Sequence, residues 1–239
     1  MTRVAATGRV RNLCDASDLP GLAAWYRADQ LIGFEQGTTN VIQEWGDISG
    51  NGRHLFQPIS ASRPILTTLT NRRPAMLFDG TNDSLQTASF AVPQPFTVTC
   101  VAQLTATTAA QSLYGFNSAG RYLSRNNGTP NIWRINAGSP LLDINESLLP
   151  GGTSVGNLIY TTVYNGASSV FRVNGQTLGS GTAGTAAVDR LTLARFDPTA
   201  LFFWYGSIAE VALHSVALST ADVLPYKRTL GVRYGITIP

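Results

Sequence analysis

The chain is 239 residues long, 44% hydrophobic and only 13% charged, with a net charge of +3. That balance excludes an intrinsically disordered chain, which combines little hydrophobicity with much charge. The basic residues are arginines apart from Lys227 and are scattered, and no apolar run is long enough to cross a bilayer, so a basic nucleic-acid patch and a transmembrane helix are excluded as well.

Residues 1–19 read as a polar arm carrying Arg3, Arg9 and Arg11, closed by Pro20-Gly21. Strands are predicted over Leu22–Ala28, Val41–Gly46 and Pro74–Asp79, with turns at Asp47–Gly52 and Gly80–Asp83. The clearest alternation is Phe96–Leu104. There Phe96, Val98, Cys100, Ala102 and Leu104 share one face, while Thr97, Thr99 and Gln103 lie on the other. Leu158–Tyr164 and Ser168–Asn174 flank Asn165-Gly166 and predict a hairpin with a type I′ turn. Asn174-Gly175 begins a further turn into Gln176–Leu178, and late strands fall at Arg190–Arg195 and Phe202–His214. Only the C-terminus has a helical period. Ser219 and Asp222 make a capping box, and Tyr226, Leu230 and Tyr234 follow on one face. Pro225 lies too deep for the first turn and predicts a break or kink. One domain, residues 20–239, follows the arm. Cys14 and Cys100 give no disulfide framework, and the opening residues contain no apolar core of a secretory signal.

Four blocks, Leu22–Asp29, Trp45–Leu55, Arg73–Asp83 and Gly206–Val211 through Leu218-Ser219, resemble in sequence and order the concanavalin A-like, laminin-G-like jelly-roll superfamily. The versions they look most like occur in tailed-phage virion proteins and bacterial surface proteins. The resemblance implies an all-β jelly-roll sandwich of two antiparallel sheets with a short C-terminal helix. Pro225 departs from the family, whose last helix usually runs unbroken. The function it implies is that of a non-enzymatic virion accessory protein, a capsid decoration or tail component. Such a protein would attach through its N-terminal arm to virion proteins and form homo-oligomers, with neither nucleic acid nor membrane as a partner. Its expected location is the virion, after synthesis in a bacterial cytoplasm. The alternative is a carbohydrate-binding module that recognises a cell-surface glycan, and a glycan hydrolase is the third reading, since one fold hosts many functions.

The residues bear on that choice. Glycanases of the superfamily carry Glu-x-Asp-x-Glu, which puts carboxylates on one sheet face. This chain has no such triplet. Glu210 and His214 share a face of their strand and read either as an acid–base pair or as local hydrogen-bonding groups. Gly179–Gly184 matches G-x-G-x-x-G, but a strand follows where a nucleotide fold needs a helix, so it reads as a flexible loop. Trp133, with Arg134 and Asn131 beside it, and Trp204 with Tyr205, are candidate sugar-stacking groups, along with Tyr114 and Tyr122; the competing reading places these aromatics in the core. Asp47, Asp79 and Asp83 fall in turns and offer oxygen ligands of the kind calcium takes. Alternatively, Asp47 and Asp79 accept hydrogen bonds from their own turn amides.

Overall fold

A computed structural model describes residues 14–30, 40–69, 71–105, 110–116, 121–125, 131–152, 155–197 and 199–239. In chain order the strands are β1 (Leu22–Arg27), β2 (Glu44–Trp45), β3 (Leu55–Phe56), β4 (Ile65–Thr68), β5 (Pro74–Asp79), β6 (Leu85–Thr87), β7 (Phe96–Leu104) and β8 (Gln111–Phe116). They continue with β9 (Arg121–Arg125), β10 (Ile132–Ala137), β11 (Leu142–Asn145), β12 (Gly156–Tyr164), β13 (Ser169–Val173), β14 (Gln176–Gly181), β15 (Leu191–Leu193) and β16 (Tyr205–His214), and helix α1 (Thr220–Tyr234) follows.

The strands form two antiparallel sheets of eight strands each. The first runs β14-β13-β12-β7-β16-β5-β4, with β1 also on β16; the second runs β11-β10-β9-β8-β15-β6-β3-β2. Between them lies one core. Phe96, Val98, Cys100, Ala102 and Leu104 enter it from β7, Tyr160 and Tyr164 from β12, and Trp133, Ile135 and Ala137 from β10. The all-β sandwich expected from the sequence is the observed fold.

Helix α1 lies on the outer face of the first sheet, where Val223, Tyr226, Leu230 and Tyr234 pack on Val101, Ile159, Ala209 and Ala212. The face of β7 opposite the core is therefore buried too. Thr97 and Thr99, whose residue type suits a solvated strand face, lie under the helix instead. Their hydroxyls are bonded, which makes the burial tolerable: Thr97 Oγ1 donates to the Val216 carbonyl at 2.8 Å and accepts from Leu218 N–H at 3.0 Å, and Thr99 Oγ1 meets Thr161 Oγ1 at 3.4 Å.

Other local expectations are corrected. Helix α1 runs through Pro225 as a single element. Pro225 and Ala221, whose carbonyl loses its partner, are both exposed, so water can satisfy that group. The capping box is present as expected, with Ser219 Oγ accepting from Asp222 N–H and Asp222 accepting from Ser219 N–H. The β12–β13 connection is a short 3₁₀ turn, Gly166–Ser168, rather than a two-residue type I′ turn. Tertiary contacts override the Asn-Gly preference here, because Gly166 N–H donates to Gln94 Oε1 at 2.7 Å and Asn165 N–H to Ser169 Oγ at 3.0 Å. Both residues of Asn174-Gly175 have positive φ, 49° and 93°, so this is the tight β13–β14 turn. Gly179, Ser180 and Gly181 are not a loop. They complete β14 against Phe171, Val170 and Ser169.

The described end of the arm belongs to the domain surface. Cys14 N–H donates to Thr229 Oγ1 at 3.0 Å, Arg233 Nη2 reaches the Asp15 carboxylate, and Ala16 is buried beneath α1. Arg3, Arg9 and Arg11 lie outside the described residues.

Candidate functional site

Among the described residues, no helix lies on the outer face of the second sheet. Strand alternation decides what that face presents. Trp133, Ile135 and Ala137 point into the core, so Arg134 and Asn136 point outward. Registers carry one row across the sheet: Asn136 on β10, Tyr122 on β9, Gly115 on β8, Thr192 on β15, Gln86 on β6, Phe56 on β3 and Glu44 on β2.

The segment from Ala194 to Asp197 crosses this row at Gly115. A Cβ at that position would sit 3.1 Å from the Arg195 carbonyl and 3.2 Å from Asp197 N, so glycine is what lets the loop lie flat on the sheet. The loop sets Phe196 edge-on to Tyr122, with centroids 5.0 Å apart, and Phe202 beside Phe196 at 5.7 Å. Both phenylalanines are half-buried. Ala194, Ala200 and Phe202 hold left-handed φ values of 66°, 49° and 54°, conformations that are costly without glycine and tend to cluster at functional loops.

Polar groups frame these rings. Asp197 is buried and accepts from Thr192 Oγ1, Arg190 Nη2 and Arg195 Nη2, each at 3.3 Å. Arg134 forks onto Asp143 with two bonds of 2.7 Å, which hold its guanidinium pKa above the ordinary value. At the far end His54 Nδ1 lies 3.8 Å from Glu44 Oε1. The result is a face of half-buried rings, guanidinium groups held in position by carboxylates, and the amides of Asn136 and Gln86. Chemically it can stack an apolar ring face and offer directed donors to hydroxyl groups.

Of the sequence-predicted sugar-stacking residues, Tyr122 lies on this face beneath Phe196 and Arg134 beside it, but the tryptophans do not. Trp133 is 0% exposed and packs against Tyr160 at 4.8 Å and Trp204 at 6.3 Å, and Trp204 is equally buried. Both belong to the inter-sheet core and offer no face to a ligand; Tyr114 is buried there as well. Arg134 is on the outer face, Asn131 is exposed just before β10, and Tyr205 is exposed at the start of β16, paired with Asp79 on the other sheet. The residues that shape the face, Phe196, Phe202, Asp197 and Gln86, were missed. The only local signal for them was the density of aromatic and charged residues between Arg190 and Trp204.

The three aspartates do not come together either. Asp47 is buried and accepts from Trp25 N–H, Ser49 N–H, Ser49 Oγ and Arg53 N–H at 2.9–3.0 Å. Asp79 accepts from the amides of Thr81, Asn82 and Asp83, and Asp83 accepts from Asp79 N–H. Each carboxylate is a turn-amide acceptor, and among the described residues no group of three or more His, Cys, Asp or Glu is arranged to hold a metal. Burial, with the neighbouring Asp79 charge, raises Asp83 to about 6.

Glu210 and His214 do not act as a pair. Four residues apart on an extended strand, they are separated by roughly 13 Å. Glu210 is 1% exposed in a central strand and is fully committed. Its Oε1 accepts from Trp25 Nε1 and Tyr226 OH, both at 2.8 Å; its Oε2 accepts from Arg233 Nη1 at 2.8 Å and Tyr234 OH at 2.9 Å. This carboxylate fastens α1 to the first sheet. His214 is buried, its Nε2 lies 3.1 Å from the Ala16 carbonyl, and burial lowers its pKa.

No protein-family model matches the chain, and no curated protein matches it. Solved structures do. Domain 4 of an extracellular arabinanase from Geobacillus stearothermophilus, solved with arabinotriose, is 15% identical with a TM-score of 0.60, over 87% of this chain and 99% of that one. The binding domain of Paraclostridial Mosquitocidal Protein 1 is 13% identical with a TM-score of 0.59, over 90% of this chain and 52% of that one. Trypanosoma rangeli sialidase with sialic acid is 13% identical with a TM-score of 0.57, over 89% of this chain and 33% of that one. The chain thus spans a third of the sialidase and about half of the mosquitocidal domain. At these identities the likeness establishes the fold: a jelly-roll-type β-sandwich.

Proposed function

We propose that this protein is a non-catalytic carbohydrate-binding module that holds an oligosaccharide on the outer face of its second sheet. One observation carries the reading. That face bears half-buried Phe196 and Phe202 on a strained loop, beside guanidinium groups already positioned by carboxylates. A sugar presents C–H faces to aromatic planes and hydroxyls to fixed donors, and positioned groups lose little freedom on binding. The structural likeness to a domain solved with arabinotriose gives the reading a matching scaffold. The absence of catalysis is supported by the commitment of two acids on this face. Asp143 and Asp197 each sit against arginine side chains, which leaves Glu44 as the lone uncommitted acid named on this face, whereas glycoside hydrolysis needs one carboxyl to protonate a leaving group and another to attack or activate water.

The test is calorimetry against a panel of neutral and acidic oligosaccharides, arabinotriose included, with Arg134→Ala and Phe202→Ala beside the wild type. Binding weakened at least tenfold in both variants, with no release of reducing ends, is the expected result. Absence of binding across the panel, or variants that bind like the wild type, would sink the assignment.

Carriage of this module on a phage virion through residues 1–19 is a finer part of the proposal and is supported by the four resembling sequence blocks. Limited proteolysis of the recombinant chain addresses it. Cleavage confined to residues 1–13, with 14–239 resistant, is expected for a segment that orders on a partner. Resistance of the whole chain would argue against that role.

A further inference from the structure

Two buried cations lie between the other sheet and α1, Arg172 reaching Thr220 and Lys227 passing Gly175. Arg172 is the fourth of the five residues of β13, and its neighbours in register are Thr161 on β12 and Thr177 on β14. Its side chain rises toward the start of the helix, where Nη2 donates to Thr220 Oγ1 at 3.2 Å. Arg172 is 7% exposed, and its Nε and Nη1 are buried with no hydrogen-bond partner. Lys227 lies two turns along the same helix, is 1% exposed, and runs its stem past the β13–β14 turn at Gly175.

Among the described residues no carboxylate pairs with either cation. Asp222, the acid in the first turn of α1, is occupied by Ser219 N–H; Glu210 is taken by its four donors; His214 is directed to Ala16. Burial, and then the Arg172 charge, lower Lys227 to about 8, and burial lowers Arg172 as well. Buried charges are normally paired, and an uncompensated one is strongly unfavourable. Here two of like sign share a site walled by Thr161, Thr177 and Thr220, and the positive end of a 15-residue helix adds to the same potential. Thr177 on the edge strand and Thr220 are exposed, so the site has a mouth at the edge of the first sheet.

We infer that Arg172, Lys227 and the Thr220 end of α1 form a binding site for one oxyanion group: a sulfate, a phosphate or a carboxylate. The guanidinium supplies Nη1–H, with the adjacent Nη2–H beside it, as an end-on planar fork that fits two oxyanion oxygens, while the Nε–H points to the other edge of the group. Lys227 supplies a point charge, and the Thr220 hydroxyl and helix N-terminus complete the donors. The site lies on the opposite sheet from the proposed glycan face and stands independently of it.

The experiment is thermal unfolding of the full chain in sodium sulfate, sodium phosphate and sodium glucuronate, each titrated against sodium chloride at matched ionic strength. Arg172→Met and Lys227→Met are run in parallel. A bound oxyanion raises Tm saturably, by about 3–6 °C at ten times its Kd. Both variants are expected to lose that rise while remaining folded, because replacing an unpaired buried charge by an apolar chain is neutral or stabilising. A saturable rise with sulfate or phosphate identifies a free inorganic oxyanion; one confined to glucuronate identifies an acid group carried on a sugar. Either outcome supports the site. Linear, non-saturating shifts of equal size in wild type and variants, the general salting effect of sulfate, would overturn it.

Discussion

Replacing Glu210 by glutamine is the sharpest test of how α1 is held, because the two side chains are nearly the same size. The carboxylate accepts four bonds, from Trp25, Tyr226, Arg233 and Tyr234. A glutamine amide presents one acceptor oxygen and one NH₂. With NH₂ on the Oε2 side it faces Arg233, and on the Oε1 side it faces Trp25 Nε1. Both are donor-only groups, whereas the tyrosine hydroxyls can turn and accept. Either orientation therefore leaves one buried donor against another donor and removes the charge from the remaining bonds. Losing a charge-assisted bond costs about 1.5–3 kcal/mol, and a stranded buried donor adds about 1–3 kcal/mol. The expected loss is about 3 kcal/mol, or about 6–12 °C in Tm for a chain of this size. Urea unfolding followed by tryptophan fluorescence measures it, with an unchanged m-value showing that the native surface is intact. A loss under about 1 kcal/mol would refute the fastening role. Polysaccharide cleavage by the wild type that disappeared in a fully stable variant would instead make Glu210 catalytic.

Trp133→Ala is expected to cost about 3–5 kcal/mol, as truncation of a fully buried aromatic does, and to lower Tm before it alters any glycan affinity. A stable Trp133→Ala protein that had lost only binding would return this residue to a ligand site. Asp83→Asn tests the raised carboxyl. The folded pKa, about 6, is above the unfolded value, so the folded state holds more protons between about pH 4 and pH 6, and the wild type loses stability as pH rises through that window. The variant should lack this decline and melt no lower than wild type at pH 7; an unchanged slope would contradict the assignment. His214 acts with the opposite sign. Its folded pKa is depressed, so its contribution is present above about pH 6.5 and is lost as pH falls below that. His214→Gln should flatten this limb in a melting series from pH 7 to pH 5, and a limb of the same steepness would exclude His214 as its source.

Several elements were legible because the signal is local. Alternation in Phe96–Leu104 identified both the strand and its core face, and Ser219 with Asp222 marked the start of α1. Asn165-Gly166 misled on turn type because Gln94, distant in sequence, recruits the Gly166 amide. Pro225 misled because its freed carbonyl partner happens to face water. The edge of the second sheet, β8–β11, was poorly legible beforehand. Its bulge between Ser112 and Tyr114 breaks the alternation, and its buried Arg125 and Glu146 look like surface residues until they pair with each other.

The candidate sites show where local reading stops. A period of two says that Trp133 and Arg134 face opposite ways, but not which way is out. That depends on where the other sheet packs, and its packing buries Trp133 against Tyr160 and leaves Arg134 with Asp143. In the same way, Thr97 and Arg172 occupy positions that would be solvated on a bare sheet, and the segment 216–220 that leads into α1, arriving more than forty residues after Arg172, covers them. By itself, then, the sequence determined strands such as Phe96–Leu104, the turns at Asp47 and Asp79 and the helix cap, all set by neighbours within a few residues, while the sandwich class came from the four resembling blocks. Only the tertiary structure decided which sheet face stays open, which acids are already committed, and that Arg172 and Lys227 are buried with no carboxylate partner among the described residues, because burial and charge pairing are made by residues that meet only when the sheets and helix are assembled.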